Sequence, residues 1–142
     1  PIDTDGDFSD ERFKKVYNGD LANGLGNLVA RLAKLIETNQ PIYADKEIKD
    51  FSPYLHTAFV NFKFNESLTA IWTHIRNFDK KLNEWEPWKK TGIERAVQWN
   101  ELIHGIKQVA YDLQPFLPET AEKILKQFSG SIKSAPPLFP RL

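Results

Sequence analysis

Three polar side chains recur every fourth residue in one short stretch: Asn23, Asn27 and Arg31, within Asp20-Leu-Ala-Asn-Gly-Leu-Gly-Asn-Leu-Val-Ala-Arg31. On an α-helix this spacing stacks them along a single stripe. A side-chain amide carries a donor and an acceptor side by side, and a guanidinium is a planar fork of donors. One such group per turn suits a base edge, and Arg31 suits a base or a phosphate. The same ladder also serves as a plain polar helix face that bonds to a neighbouring helix, since asparagine is common near helix starts.

A second group with chemical potential is Trp85-Glu-Pro-Trp-Lys-Lys90, where Pro87 precedes Trp88 between charged residues. A proline-stiffened loop holds an indole at little ordering cost. Such a surface can stack on a nucleobase for about 1–3 kcal/mol per base, or it can seal the end of a helical bundle. Lys89 and Lys90 are placed to meet flanking phosphates, or to remain a solvated pair. Catalytic and metal chemistry find no comparable support. The carboxylates are scattered, His56, His74 and His104 are isolated, cysteine is absent, and no glycine-rich phosphate loop follows a strand.

The ladder needs a helix to carry it, predicted from Asp20 to about Thr38. At about 100° per residue, Leu21, Leu25, Leu28, Leu32 and Leu35 form its core stripe. Ala22, Gly26, Ala30 and Ala33 form a flank that a neighbouring backbone can approach closely. Gly24 and Gly26 each cost roughly 0.5–1 kcal/mol against alanine inside a helix. Asp20 is the expected cap, after a turn at Asn18-Gly19 that closes a short helix opened by Phe8, Ser9 and Phe13. Downstream, Pro41–Pro53 reads as a connection with a short helix near Lys46–Asp50, and Tyr54–Phe62 as helical. A helix launched at Phe64-Asn65-Glu66 has core positions Leu68, Ile71, Trp72, Ile75, Phe78 or Asp79, and Leu82, and must end near Trp85 before Pro87. The next helix has core positions Ile93, Val97, Leu102, Ile106, Val109 and Leu113. Pro115-Phe-Leu-Pro118 breaks it, Glu119–Phe128 is the last helix, and an extended tail follows. No stretch alternates with period two, so the fold expected is all-α, a bundle of about five main helices. Residues 1–7 read as a linker, 8–130 as the bundle and 131–142 as the tail.

The 142 residues suffice for one domain with one core, at 41% hydrophobic content. Nineteen basic residues balance nineteen acidic ones, which argues against a partner held by a broad basic surface. It leaves room for a nucleic acid read by a few side chains. No apolar run reaches the ~20 residues of a membrane span, and no signal-peptide pattern opens the chain. The expected location is cytoplasmic.

Taken together, Tyr17–Arg31 resembles the opening helix of the anticodon-binding domain of methionyl-tRNA synthetases. The resemblance continues through Phe64-Asn-Glu-Ser-Leu-Thr-Ala-Ile-Trp72, Glu86-Pro-Trp88, Leu113-Gln-Pro-Phe-Leu-Pro-Glu-Thr-Ala121 and Pro137-Leu-Phe-Pro-Arg141, in the family's order. It implies that Asn23, Asn27 and Arg31 read anticodon bases and that Trp88, held by Pro87, stacks on the first base of a CAU anticodon. The implied partners are the anticodon loop of a methionine tRNA and, in cis, an upstream catalytic domain. ATP, with zinc as an option, belongs to that domain, whose His-x-Gly-His and Lys-Met-Ser-Lys-Ser signatures do not occur here. Asp79, where the family commonly has asparagine, and Lys81, where tyrosine is usual, depart from the pattern. Gly19 and Gly24 are further departures, read as tolerated surface changes. The same helix core is shared by the valyl, isoleucyl, leucyl and cysteinyl enzymes, which stand as the alternative to a methionine enzyme. A helical protein-interaction module is the second alternative. If one anticodon touches both groups, Trp88 must lie near the ladder.

Overall fold

The computed structural model describes residues 17–60 and 64–139. The expected linker 1–7, the helix at Phe8–Phe13 and the last residues of the tail lie outside them. The described residues contain helices and no strand. A π-helix, Tyr17–Gly26, runs into α1 (Asn27–Asn39). There follow α2 (Pro53–Val60), α3 (Phe64–Trp85), a 3₁₀ turn (Pro87–Lys89), α4 (Gly92–Leu113) and α5 (Pro118–Gln127). The all-α bundle with five α-helices is the architecture expected.

Several local expectations are corrected. Asn18-Gly19 does not break the chain, and Asp20 lies inside the π-helix instead of capping an α-helix. Closing the helix with i→i+5 bonds keeps the backbone paired where Gly19, Gly24 and Gly26 weaken commitment to the α form. The core stripe of the first helix is Leu25, Leu28, Val29, Leu32, Ala33 and Ile36. Leu35 is only half-buried, and of the small-residue flank Ala22 and Ala33 are buried whereas Ala30 is exposed. In α3, Ile71, Ile75, Phe78 and Leu82 are buried as expected, while Leu68 and Trp72 are only half-buried. In α4, Ile93 and Val97 stand out in solvent at 83% and 48% exposure, while Trp99, Leu102, Ile103, Ile106, Val109, Ala110 and Leu113 fill the core. The first two turns of α4 carry their apolar residues on the outward face, so periodicity alone misassigned them.

α4 is the spine of the bundle, packing against α3, α5 and the 3₁₀ turn. Its contact with α3 is close at Gly105, where a Cβ would lie 2.6 Å from the Phe78 ring. Its outer face holds the connector between α1 and α2. The helix expected at Lys46–Asp50 is absent there. Instead the connector takes its hydrogen bonds from side chains of α4, which resolves how a non-helical backbone lying on the bundle is satisfied. Asn100 accepts from the Ala44 N–H at 2.8 Å, and the His104 ring bonds the Ala44 carbonyl at 2.9 Å. Lys107 donates to the Lys46 carbonyl and Asp45, Gln108 to the Asp50 carbonyl, and Tyr111 to the Lys49 carbonyl. At the end of the connector the buried Asp112 carboxylate accepts from the Ser52 N–H and hydroxyl, from Tyr54 and from Gln108. Burial, and then the charge of Asp112, push the Tyr54 hydroxyl well above its ordinary pKa.

After α5 the tail lacks regular structure through Lys133–Ala135. It is tied down by burial of Ile132 and by the Ser134 hydroxyl donating to Glu37 on α1. Leu138 and Phe139 pack against the core.

Candidate nucleic-acid interface

The ladder faces a groove of about 450 Å³ between the first helix and α3. Asn23, Asn27 and Arg31 line one wall with Gly24 and Leu28, and Ile75, Arg76 and Asp79 line the other. Asn23 sits in the π-helix and Asn27 opens α1. In the wider i→i+5 winding, residues four apart stay nearly eclipsed, so the change of helix type does not dissolve the ladder. Asn23, Asn27 and Arg31 are all exposed. The helix is anchored behind them by Leu25, Leu28 and Leu32, which are essentially inaccessible.

Arg31 is engaged across the groove. Its Nη1 donates to Asn83 Oδ1 and lies 3.8 Å from the Asp79 carboxylate. Asp79, one of the departures from the family pattern, therefore faces the ladder directly. Arg76 is exposed, and its guanidinium makes a long 3.3 Å hydrogen bond to Thr73 one turn earlier. The groove thus presents two guanidiniums, one carboxylate and two amides. Such a set fits a polyanion with hydrogen-bonding edges better than an apolar ligand. Arg76, Asp79 and Asn83 share one flank of α3 at helical spacing. That spacing is visible in the sequence, but which flank faces α1 is not.

Pro87 and Trp88 lie in the 3₁₀ turn just past α3. Pro87 is buried, so it shapes the loop instead of touching a ligand, and Trp88 is half-buried against the core. The turn is held at several points. Glu86 takes a left-handed conformation (φ 46°), a helix-ending geometry usually given to glycine. Lys89 N–H donates to the Glu86 carbonyl at 2.8 Å, and Lys90 N–H to that of Pro87 at 3.1 Å. The Lys89 ammonium pairs with Glu86 at 3.1 Å, and Lys90 is half-buried. From the first turn of α4, Arg95 Nη1 donates to the Trp88 carbonyl at 3.1 Å, with longer contacts of 3.4 Å to those of Pro87 and Lys90. No motif in the sequence marks Arg95.

Trp88 is not part of the groove lining. It stands at the same end of α3 as Arg31's partner Asn83, five residues further along, a separation of at most roughly 18 Å of chain. Beside it, Lys81 lies over the Trp85 ring at 5.0 Å. Among the described residues no group of three or more metal-binding side chains comes together, and no helix is long and apolar enough to cross a membrane.

No protein-family model matches the chain. Individual proteins do. A methionine–tRNA ligase of Clostridium acetobutylicum is 36% identical over an alignment of 148 residues, which covers 91% of this chain and 23% of that protein. The methionine–tRNA ligase of a Synechocystis species is 31% identical, covering 87% of this chain and 26% of the relative. The chain therefore spans about a quarter of the length of these relatives. Among solved structures, the apo, free-state methionyl-tRNA synthetase of Mycobacterium tuberculosis shares the fold with a TM-score of 0.69 at 24% identity, covering 94% of this chain and 35% of that one.

Proposed function

This chain belongs to the methionyl-tRNA synthetase family, matching a C-terminal part of those enzymes, and we propose that it is the part that recognises the anticodon of methionine tRNA. The observation that carries the reading is the groove, which gathers Asn23, Asn27 and Arg31 with Arg76 on one exposed surface. Anticodon loops are single-stranded, so their bases can be splayed, stacked and read on their edges. Asn23 and Asn27 offer the paired donor and acceptor for those edges. Arg31 exchanges its bonds to Asn83 and Asp79 for bonds to RNA. Trp88, stiffened by Pro87, supplies the stacking surface for the first base of CAU, with Lys89 and Lys90 toward the adjoining phosphates.

In this reading the ligation of methionine to tRNA with ATP is the work of the larger enzyme, and residues of this chain bind instead of reacting. The full set of partners is then the methionine tRNA and the catalytic part of the synthetase. The test is a fluorescence titration of the 142-residue chain with a CAU anticodon stem-loop and with stem-loops carrying other anticodons. The expected result is tighter binding of CAU, with Trp88→Ala weakening it by about 1–3 kcal/mol. Equal binding of all stem-loops would refute the base-reading role.

A further inference from the structure

We propose that Arg95 is the positioning residue for Trp88, setting the orientation of the stacking surface from the rigid first turn of α4. This deepens the anticodon reading and rests on it. Three carbonyls of the Trp88 loop, those of Pro87, Trp88 and Lys90, converge on the single Nη1 of Arg95. A nitrogen with two hydrogens shares them in bifurcated bonds, the Trp88 carbonyl being the nearest at 3.1 Å. The three carbonyls are partial negative charges brought within 3.4 Å of one guanidinium nitrogen, an arrangement that favours a cation there.

The placement is informative because it works against the host helix. Arg95 is the fourth residue of α4, near the positive helix end, where an acid is favoured and Glu94 is already present. The guanidinium escapes that field by folding back onto the loop. One end of the clasp is fixed, since α4 continues into Trp99, Leu102 and Ile103, all fully buried. The other end is the Trp88 backbone, so the indole inherits the orientation of α4. The Lys89–Glu86 pair is 64% and 38% exposed and holds the loop far less firmly.

The experiment is a double-mutant cycle on the 142-residue chain: wild type, W88A, R95M and W88A/R95M. Each is titrated with a CAU stem-loop and with the same loop abasic at the first anticodon position. R95M is expected to weaken CAU binding about 10-fold or less, with the loss vanishing in the W88A background and on the abasic loop. R95K, whose ammonium can still reach the carbonyls, is expected to restore part of it. Circular dichroism melts verify that each variant folds, and R95K carries the comparison if R95M does not. An RNA-free reading uses chains with Trp72 and Trp85 replaced by phenylalanine. There R95M should raise acrylamide quenching of Trp88, because Trp99 is buried.

An R95M loss that persists in the W88A background overturns the positioning role. So does a fall of about 0.7 in the salt slope, the mark of a direct phosphate contact. W88A binding CAU as tightly as wild type would instead bring down the stacking reading itself, and the inference with it.

Discussion

The Arg31 guanidinium lies 3.8 Å from the Asp79 carboxylate, the two side chains facing each other across the groove at 42% and 49% exposure. A carboxylate there repels the phosphates of any RNA that enters and competes with it for Arg31. Asp79→Asn keeps the size of the side chain and removes the charge. It should leave the fold intact, because pairs this exposed contribute about 0–1 kcal/mol. Affinity for stem-loops of every anticodon should rise by about 3–10-fold at low salt, shrinking as ionic strength increases. Titration at two salt concentrations reads this directly. A loss of affinity would mean that Asp79 instead orients Arg31 for the RNA.

Arg76 predicts the opposite pattern. It shares the groove but has no acidic partner among the described residues, and its hydrogen bond to Thr73 is long. Arg76→Gln should weaken CAU and changed-anticodon loops alike and lower the slope of log affinity against log salt by about 0.7. Asn27→Ala should instead act on the CAU loop selectively.

A stability test comes from Gly105 and Phe78. Alanine is the better helix former by about 1 kcal/mol, so Gly105→Ala would stabilise an unpacked helix. Here the new methyl carbon would lie 2.6 Å from the ring edge. The overpacking cost of about 1–3 kcal/mol should prevail, and urea unfolding should show a net loss.

The connector supplies a pH-dependent test. Lys107 is buried, its ammonium 2.9 Å from Asp45. The Lys107 hydrogen bond, followed by that from the Gly130 N–H, holds the Asp45 carboxyl below its ordinary pKa. A depressed carboxyl contributes stability that is present above the unfolded value, about 4, and lost as pH falls through the lower folded value. Asp45→Asn should therefore cost up to about 1 kcal/mol near pH 7, because the carboxylate is 45% exposed and Lys107 keeps its bond to the Lys46 carbonyl. The gap from wild type should close in acid, once the pH has fallen below the lowered Asp45 value. Denaturant melts at both pH values measure it.

Much of this organisation was legible in the sequence where one face of a helix carries a single kind of residue. Leu25, Leu28 and Leu32 went to the core, α3 stopped at Trp85 before Pro87, and a last helix followed the proline break, though it opens at Pro118 and not at Glu119. The ladder could be picked out because four-residue spacing survives either helical winding. What failed depended on tertiary surroundings. Ile93 and Val97 have the pattern of core residues, yet both stand exposed on that face of α4. The helix expected at Lys46–Asp50 lost to an irregular path, because α4 offers the backbone partners in place of its own. Arg76 and Arg95 escaped notice because an arginine on a helix carries no local sign of which neighbour it will meet.

The draped connector has a consequence for how this protein can vary. Its backbone is fastened at Ala44, Lys46, Lys49, Asp50 and Ser52 to side chains spread over three turns of α4. It is thus a ruler laid against a helix, with its length set in whole residues. Surface loops ordinarily accept inserted residues at small entropic cost. Here a single added residue between 44 and 52 would throw every later fastening out of step, leaving buried Asp112 facing the wrong donors. Length variation should be borne by other junctions of the bundle, while this segment, which looks like a loop, keeps count like a strand in a sheet.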